Sequence, residues 1–274
     1  MKELSVSTQP YQGPIAVYQM GKVGSESIVF SLKRLGIPND IYHIHVLYPE
    51  NLKLSIQQRQ ALNLPLTLQM EHSQALREYL DRGGAEKLRV ITAVREPVSQ
   101  LISSIFQNIQ DEHPDFIDAE GNWKLNPIKD FVVRSVLNYD NRAKWQNCNW
   151  FDYEFKPALN LDVYQEEFNK RDGYAVLETE GVKVLILQLE NSKNWGEIIS
   201  DFLELKDKLE MVKVNDSEHK AYREAYQKIR EEITLPESVL ANIYSSQYCQ
   251  HFYTEEMIDR FIKRWSSSTV NSKM

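Results

Sequence analysis

The 274-residue chain contains two cysteines, Cys148 and Cys249, so it can form at most one disulfide; neither stands in a CxxC or Cys/His cluster of metal-ligand spacing. A reduced, metal-free chain is the expectation. Long apolar runs are also missing. The most apolar stretches, Val184–Leu187 and Ile15–Val17, fall far short of the ~20 residues that a membrane-spanning helix needs. Residues 1–10 hold no apolar segment of the kind a secretory signal requires, which makes the cytoplasm the expected location. Positive charge is in deficit, with 32 Lys plus Arg against 39 Asp plus Glu and a formal net charge of −7. Such a chain is poorly suited to tracking the phosphates of a nucleic acid, while a local basic pocket for one small anion remains open to it. There is no internal repeat, and the Ser/Thr-rich stretch 266–274 reads as a flexible tail.

What is present is an ordinary globular composition, 42% hydrophobic, in a repeating order of short apolar runs and amphipathic stretches. Ile15–Tyr18 reads as a strand, followed by a Gly-bearing turn and a helix over Ser25–Leu35. Ile41–Leu47 alternates like a strand, Ser73–Arg82 is helical up to Gly83-Gly84, and Leu88–Val94 is a buried strand. Pro97 suits a first helical turn, and Val98–Ile109 places Leu101, Ile102, Ile105, Phe106 and Ile109 on one stripe. Helices over Asp130–Trp145 and Trp195–Leu203, with strands over Tyr174–Thr179 and Val182–Leu189, continue the order. From Asp216 the pattern is helical, broken at Pro236 and ending with Thr254–Trp265. The fold class expected is α/β: a central parallel sheet flanked by helices, a helical carboxyl-terminal segment packed on it, and ligands at the carboxyl ends of the strands.

Two strand-to-helix loops carry the candidate chemistry. The first reads Gly21-Lys22-Val23-Gly24-Ser25-Glu26-Ser27. Small residues admit close approach of an anion, the following helix offers unpaired N–H groups and a positive dipole end, and Lys22 adds a charge. It is not a Walker A loop, because Lys22 precedes Gly24 instead of following the second Gly. Read alone, the turn could simply join a strand to a helix. The second loop reads Val94-Arg95-Glu96-Pro97, with Ser103-Ser104 two turns into the next helix. Arg95 at a strand's carboxyl end and Ser103 suit a second phosphate site, and a salt-bridged Arg95 is the plainer alternative.

Together the two motifs resemble those of the sulfotransferases that use 3′-phosphoadenosine-5′-phosphosulfate (PAPS), in particular the carbohydrate-modifying branch with its Lys-x-Gly-[Ser/Thr]-x-[Ser/Thr] loop. The strand segment Val182–Asn191 and the helix ending Asp201-Phe202-Leu203 look like that family's later strand and helix, and the segment from Gln250 to Trp265 is similar to its bacterial members described as capsular polysaccharide synthesis proteins. The resemblance implies a three-layer P-loop-like fold filling residues 1–265 as one catalytic domain. It further implies that Gly21–Ser27 cradle the 5′-phosphosulfate, that Lys22 stabilises the bridging oxygen, and that Arg95 and Ser103 hold the 3′-phosphate. No metal is expected, 3′-phosphoadenosine-5′-phosphate would be the product, and the acceptor would be a carbohydrate or glycan precursor.

The family places a Glu or His base near the second strand, where this chain has His43 and His45. Strand alternation puts both on one face, and an imidazole with pKa about 6.5 suits a general base at neutral pH. His45 lies nearer the strand's carboxyl end. Glu71, His72, Trp123, Trp145, Trp150 and Trp195 are further candidates for lining the pocket. A P-loop phosphotransferase such as a nucleotide kinase, and a non-catalytic nucleotide- or glycan-binding relative, are the two rival classes.

Overall fold

The computed structural model describes residues 11–138, 147–179, 181–214 and 222–266. A five-stranded sheet in the order β2-β1-β3-β5-β4 forms its centre. The strands are β1 (Ile15–Tyr18), β2 (Ile41–Ile44), β3 (Leu88–Val94), β4 (Tyr174–Glu178) and β5 (Val182–Gln188). Every residue of β1 and β3 is buried, as expected of unbroken apolar strands covered on both faces. Ile15 of β1 pairs with Ile41 on one side and Arg89 on the other, both in parallel register. The strands that follow β1 therefore lie on opposite sides of it, which opens a crevice at its carboxyl end.

The all-parallel expectation is corrected at one edge: β4 pairs antiparallel with β5, Tyr174 opposite Leu187. A connection of only a few residues cannot carry the crossover that parallel pairing needs. The class is therefore α/β with a mostly parallel sheet.

Eleven α-helices occur among the described residues. α1 (Ser25–Leu35) and α4 (Pro97–Glu112) follow β1 and β3; α2 (Pro49–Ala61) and α3 (Leu68–Asp81) follow β2. α5 (Leu125–Leu137) and α6 (Lys156–Leu159) precede β4, and α7 (Trp195–Leu203) follows β5. The chain closes with α8 (Arg223–Glu232), α9 (Glu237–Tyr244), α10 (Gln247–Phe252) and α11 (Glu255–Ser266).

Several boundaries differ from the sequence expectation for identifiable reasons. β2 ends at Ile44, leaving His45 just past the strand. α3 starts five residues early because the Thr67 side chain accepts the Met70 N–H and caps it. α2 escapes the periodicity because Leu52 is its only fully buried residue. α5 begins before Asp130, and the expected helix beyond residue 138 lies outside the described residues, as do 1–10, 216–221 and 267–274.

One buried carboxylate ties three elements together beneath the crevice. Glu154 lies in a π-helical turn, Phe151–Phe155. It accepts from the Tyr18 hydroxyl at 2.6 Å, the N–H groups of Leu47 and Tyr48 at 2.6 and 2.8 Å, and Asn51 Nδ2 at 2.7 Å. The end of β1 and the start of α2 thus share one anion, and the positive end of α2 favours it. Glu154→Ala leaves the buried N–H groups of Leu47 and Tyr48 without an acceptor, while Tyr18 and Asn51 keep only the carbonyls of Glu154 and Tyr153, at 3.3 and 2.9 Å. The expected loss is about 3 kcal/mol of unfolding free energy, read from urea denaturation; a loss below about 1 kcal/mol would show that water replaces the carboxylate.

Candidate functional site

The turn between β1 and α1 owes its shape to two tethers from α4 and its approach. Arg95 Nη1 donates to the Lys22 carbonyl at 2.8 Å, and Gln100 Nε2 to the Gly21 carbonyl at 2.5 Å. A trans peptide sends its C=O and N–H in opposite directions. Anchoring these carbonyls therefore turns the N–H groups of Lys22 and Val23 away from α4. Lys22 is held at φ 68°, a left-handed conformation that costs an L-residue about 1–2 kcal/mol. Gly24 follows at φ 95° and begins α1 without a side-chain cap, so the first N–H groups of the helix stay available. Only glycine fits there: a Cβ would lie 3.0 Å from the Trp195 ring and 3.1 Å from Leu189. Val23 turns its side chain into the core, so backbone is all it offers.

Arg95 is braced from the carboxyl-terminal half. The Tyr248 hydroxyl accepts from Arg95 N–H and donates to Arg95 C=O, both at 3.0 Å. Glu96 caps α4, accepting from the N–H groups of Val98 and Ser99 at 2.8 Å each, and also from the Tyr244 hydroxyl at 2.5 Å. The Glu190 carboxyl turns inward and accepts Glu96 N–H at 2.8 Å. Burial pushes Glu190 up to about 7, and the Glu96 carboxylate adds to the rise.

The two loops open onto one cleft of about 680 Å³. Gly21, Lys22, Gly24, Ser25, Glu26 and Ser27 line one wall, with Arg95, Ser103 and His45 beside them. Residues that the sequence did not single out complete it: Lys193 and Lys213 bring the lining cations to four, against the single carboxylate of Glu26. Leu189, Trp195 and Met211 supply an apolar wall. Lys193 comes from the short 3-10 helix Leu189–Asn194 and Lys213 from an irregular segment, where neither periodicity nor motif marks them. Ser27 has a further task, because its hydroxyl accepts Val214 N–H at 3.1 Å while Ser31 Oγ accepts Val212 N–H at 2.8 Å. Two α1 serines thereby hold segment 211–214 across the cleft.

The two histidines differ in placement. Their rings face each other edge to face with centroids 5.1 Å apart. His45 Nδ1 lies 2.9 Å from the Gln19 carbonyl. A carbonyl oxygen can only accept, so Nδ1 carries the proton and Nε2 keeps a lone pair. His45 lines the cleft; burial lowers its pKa from the ordinary histidine value, although the Gln19 contact and Glu26 oppose this. His43 does not line this cleft and is buried, its Nε2 lacking a protein partner and its backbone N–H donating to His72 Nδ1 at 3.1 Å. His72 thus packs behind β2, and from α3 it is Gln69, not Glu71 or His72, that reaches the cleft. Trp123 bridges to Ile117 away from the cleft, and Trp145 lies outside the described residues.

A second cavity of about 200 Å³ adjoins the first and shares Gly21 and His45 with it. Trp150 forms part of its wall, with Gln100 and Ser104 from α4.

A family model described as "Putative capsular polysaccharide synthesis protein" matches residues 132–254, less than half of the chain. No curated protein and no solved structure matches the chain. The likeness to that family is confined to the matched segment. That segment holds Trp150, Glu154, Glu190 and Tyr248 but neither the Lys22 loop nor Arg95. Among the described residues, no helix is long and apolar enough to cross a membrane.

Burial first, and then the neighbouring His45, His72 and Lys33, lower His43 to about 4. The Glu26 carboxylate 3.8 Å from His43 Nδ1 is half-exposed and too well solvated to reverse this. Unfolded, His43 titrates near 6.5, so between these values the unfolded chain binds more protons and stability rises with pH. Stability is expected to fall by about 3 kcal/mol as pH drops from about 6.5 to about 4. His43→Asn should flatten that part of a urea-midpoint profile; an unchanged profile would show that other groups carry it.

Proposed function

We propose that the protein is a polysaccharide-biosynthetic enzyme of the PAPS-dependent sulfotransferase type, moving a sulfuryl group to a carbohydrate hydroxyl. In this reading the sheet is the core of a P-loop-like, three-layer domain in which residues 1–265 act as one unit. The observation that carries it is the meeting of the Lys22 loop, Arg95, Ser103 and His45 around one cleft with four cations. A ligand bearing several negative charges suits that lining, and the apolar wall of Leu189, Trp195 and Met211 suits a base.

The residues divide the work by position. The amides of Gly24–Ser27 and the Ser25 hydroxyl hold the 5′-phosphate at the start of α1, where the dipole favours an anion. Arg95 and Ser103 take the 3′-phosphate. His45 Nε2 accepts the proton of the acceptor hydroxyl as its oxygen bonds to sulfur and the bond from sulfur to the bridging oxygen breaks. Lys22 stabilises the charge left on that bridging oxygen, which departs with 3′-phosphoadenosine-5′-phosphate. Transfer of a phosphoryl group makes comparable demands for positioning and charge stabilisation.

Calorimetric titration of the full chain with 3′-phosphoadenosine-5′-phosphate should show binding, and its absence would overturn the reading. Arg95→Ala should weaken that nucleotide by about 30-fold or more, the cost of an unpartnered phosphate. Adenosine 5′-phosphosulfate should weaken too, because Arg95 Nη1 also tethers the Lys22 carbonyl, but by less; a loss as large as that of 3′-phosphoadenosine-5′-phosphate would leave Arg95 as a brace of the Lys22 loop and remove it from the 3′-phosphate.

With a panel of glycosides as acceptors, His45→Asn should lower kcat by about 100-fold or more and His43→Asn by much less. The reverse order would move the base to His43. Lys22→Ala should lower kcat more than nucleotide affinity, because its contact strengthens as charge develops.

A further inference from the structure

The cleft and the smaller cavity differ sharply in charge. The cleft gathers Lys22, Arg95, Lys193 and Lys213, whereas no Lys, Arg, Asp or Glu lines the cavity. Its wall is Met20, Val46 and Trp150 on the apolar side and Gln100, Ser104 and His45 on the polar side, with Gly21 between. Gln100 is 3% exposed, and its side-chain nitrogen is engaged by Gly21. Its side-chain oxygen is buried and has no protein partner, so Gln100 serves the cavity as a fixed neutral wall. Trp150 presses its edges on Tyr18 and Phe151, at centroid distances of 5.0 and 5.1 Å, and is thereby fixed as a rigid wall. The volume of about 200 Å³ corresponds to about seven waters at ~30 Å³ each, room for one sugar ring and no more.

We propose that this cavity is the acceptor subsite and that it selects an uncharged sugar unit, presenting one hydroxyl to His45. The proposal rests on the sulfotransferase reading for the identity of the reaction, while the subsite itself rests on the cavity. His45 lines both chambers, so a ring in the smaller one can bring a hydroxyl to the His45 imidazole. A uronate or phosphorylated sugar would bring a charge into a chamber that offers no counter-charge, losing solvation without return. A neutral polyol brings hydroxyl donors and acceptors that Ser104 and His45 can answer, and apolar ring faces that Trp150, Met20 and Val46 can cover.

Ser104 gives the means of testing this, because it is exposed on α4 and lines the smaller cavity but not the cleft. Ser104→Trp fills the chamber, and Ser104→Lys places a cation at its wall. Binding of methyl pyranosides is read by saturation-transfer NMR, transfer from PAPS by product formation, and nucleotide binding by calorimetry. The wild type is expected to bind neutral methyl glycosides and to sulfate them with a kcat/KM about tenfold or more above that for the matching methyl uronides. Ser104→Trp should lower neutral glycoside binding and transfer by about tenfold or more while nucleotide affinity stays within about twofold, which also reports an intact fold. Ser104→Lys should move the uronide-to-neutral ratio upward. Unchanged glycoside binding and transfer in Ser104→Trp would overturn the subsite, and equal use of uronides by the wild type would overturn its selectivity. Should the wild type bind no 3′-phosphoadenosine-5′-phosphate, the sulfotransferase reading fails separately; glycoside binding lost on Ser104→Trp would still support the sugar subsite.

Discussion

Two carbonyl oxygens, those of Gly21 and Lys22, set the geometry on which the cleft depends. Left to themselves they would compete with any anion for the N–H groups of the turn, and Lys22 would relax from its left-handed conformation. Arg95 and Gln100 remove both possibilities by donating to those oxygens. The turn is thereby preorganised with its donors free of its own acceptors, the condition under which backbone amides bind anions well. Gly24 then allows α1 to start against Trp195 with no side chain between helix end and cleft. Arg95 contributes twice: one nitrogen shapes the loop, while the remainder of its five-donor fork lines the cleft.

The rigidity of Arg95 comes from far along the chain. Tyr248 satisfies its N–H and C=O together, and Glu96 and Glu190 fix the following peptide and the start of α4. These two carboxyls sit close in a buried place, which is why Glu190 rises to about 7. As pH falls through that value Glu190 takes up a proton and the repulsion is relieved, while an oxygen remains for Glu96 N–H. The family match at 132–254 covers Tyr248, Glu190 and Glu154, but not Glu96, Arg95 or the Lys22 loop. Tyr248 and Glu190 thus hold Arg95 and the start of α4 from far along the chain, and Arg95 is where that brace meets the Lys22 loop.

The strands and loops nearest the crevice were the most legible parts of the sequence. Ile15–Tyr18, Ser25–Leu35, Leu88–Val94 and Trp195–Leu203 all agree with their apolar runs, because elements buried on a whole face or on both write their period plainly. α2 did not, since a helix with one fully buried residue has almost no stripe to read. The edge β4 reversed its expected direction for want of a crossover, a topological fact that a strand's composition does not encode. In the site, Lys22, Arg95, Ser103 and His45 were visible as loop chemistry. Lys193, Lys213, Gln69 and Gln100 were not: the two lysines come from short segments without a pattern, and the two glutamines from helices whose apolar stripe does not say which polar residue meets a cleft. Ser27 was visible for one reason and is used for another: its hydroxyl meets the backbone of Val214.

The acidic composition acquires a different meaning beside the two chambers. A net charge of −7 leaves the bulk surface repulsive to polyanions, while four cations concentrate in one cleft and none in its neighbour. On the proposed reading, the boundary between the two fields falls at Gly21 and His45, where the transferred group would cross. The charge left behind then stays among Lys22, Arg95, Lys193 and Lys213. The charge carried across enters a chamber with nothing to stabilise it, so a sulfated product is held less well there than the neutral acceptor it came from. The same asymmetry that admits an uncharged sugar thus favours release of the product and leaves the nucleotide to depart as the more tightly held partner.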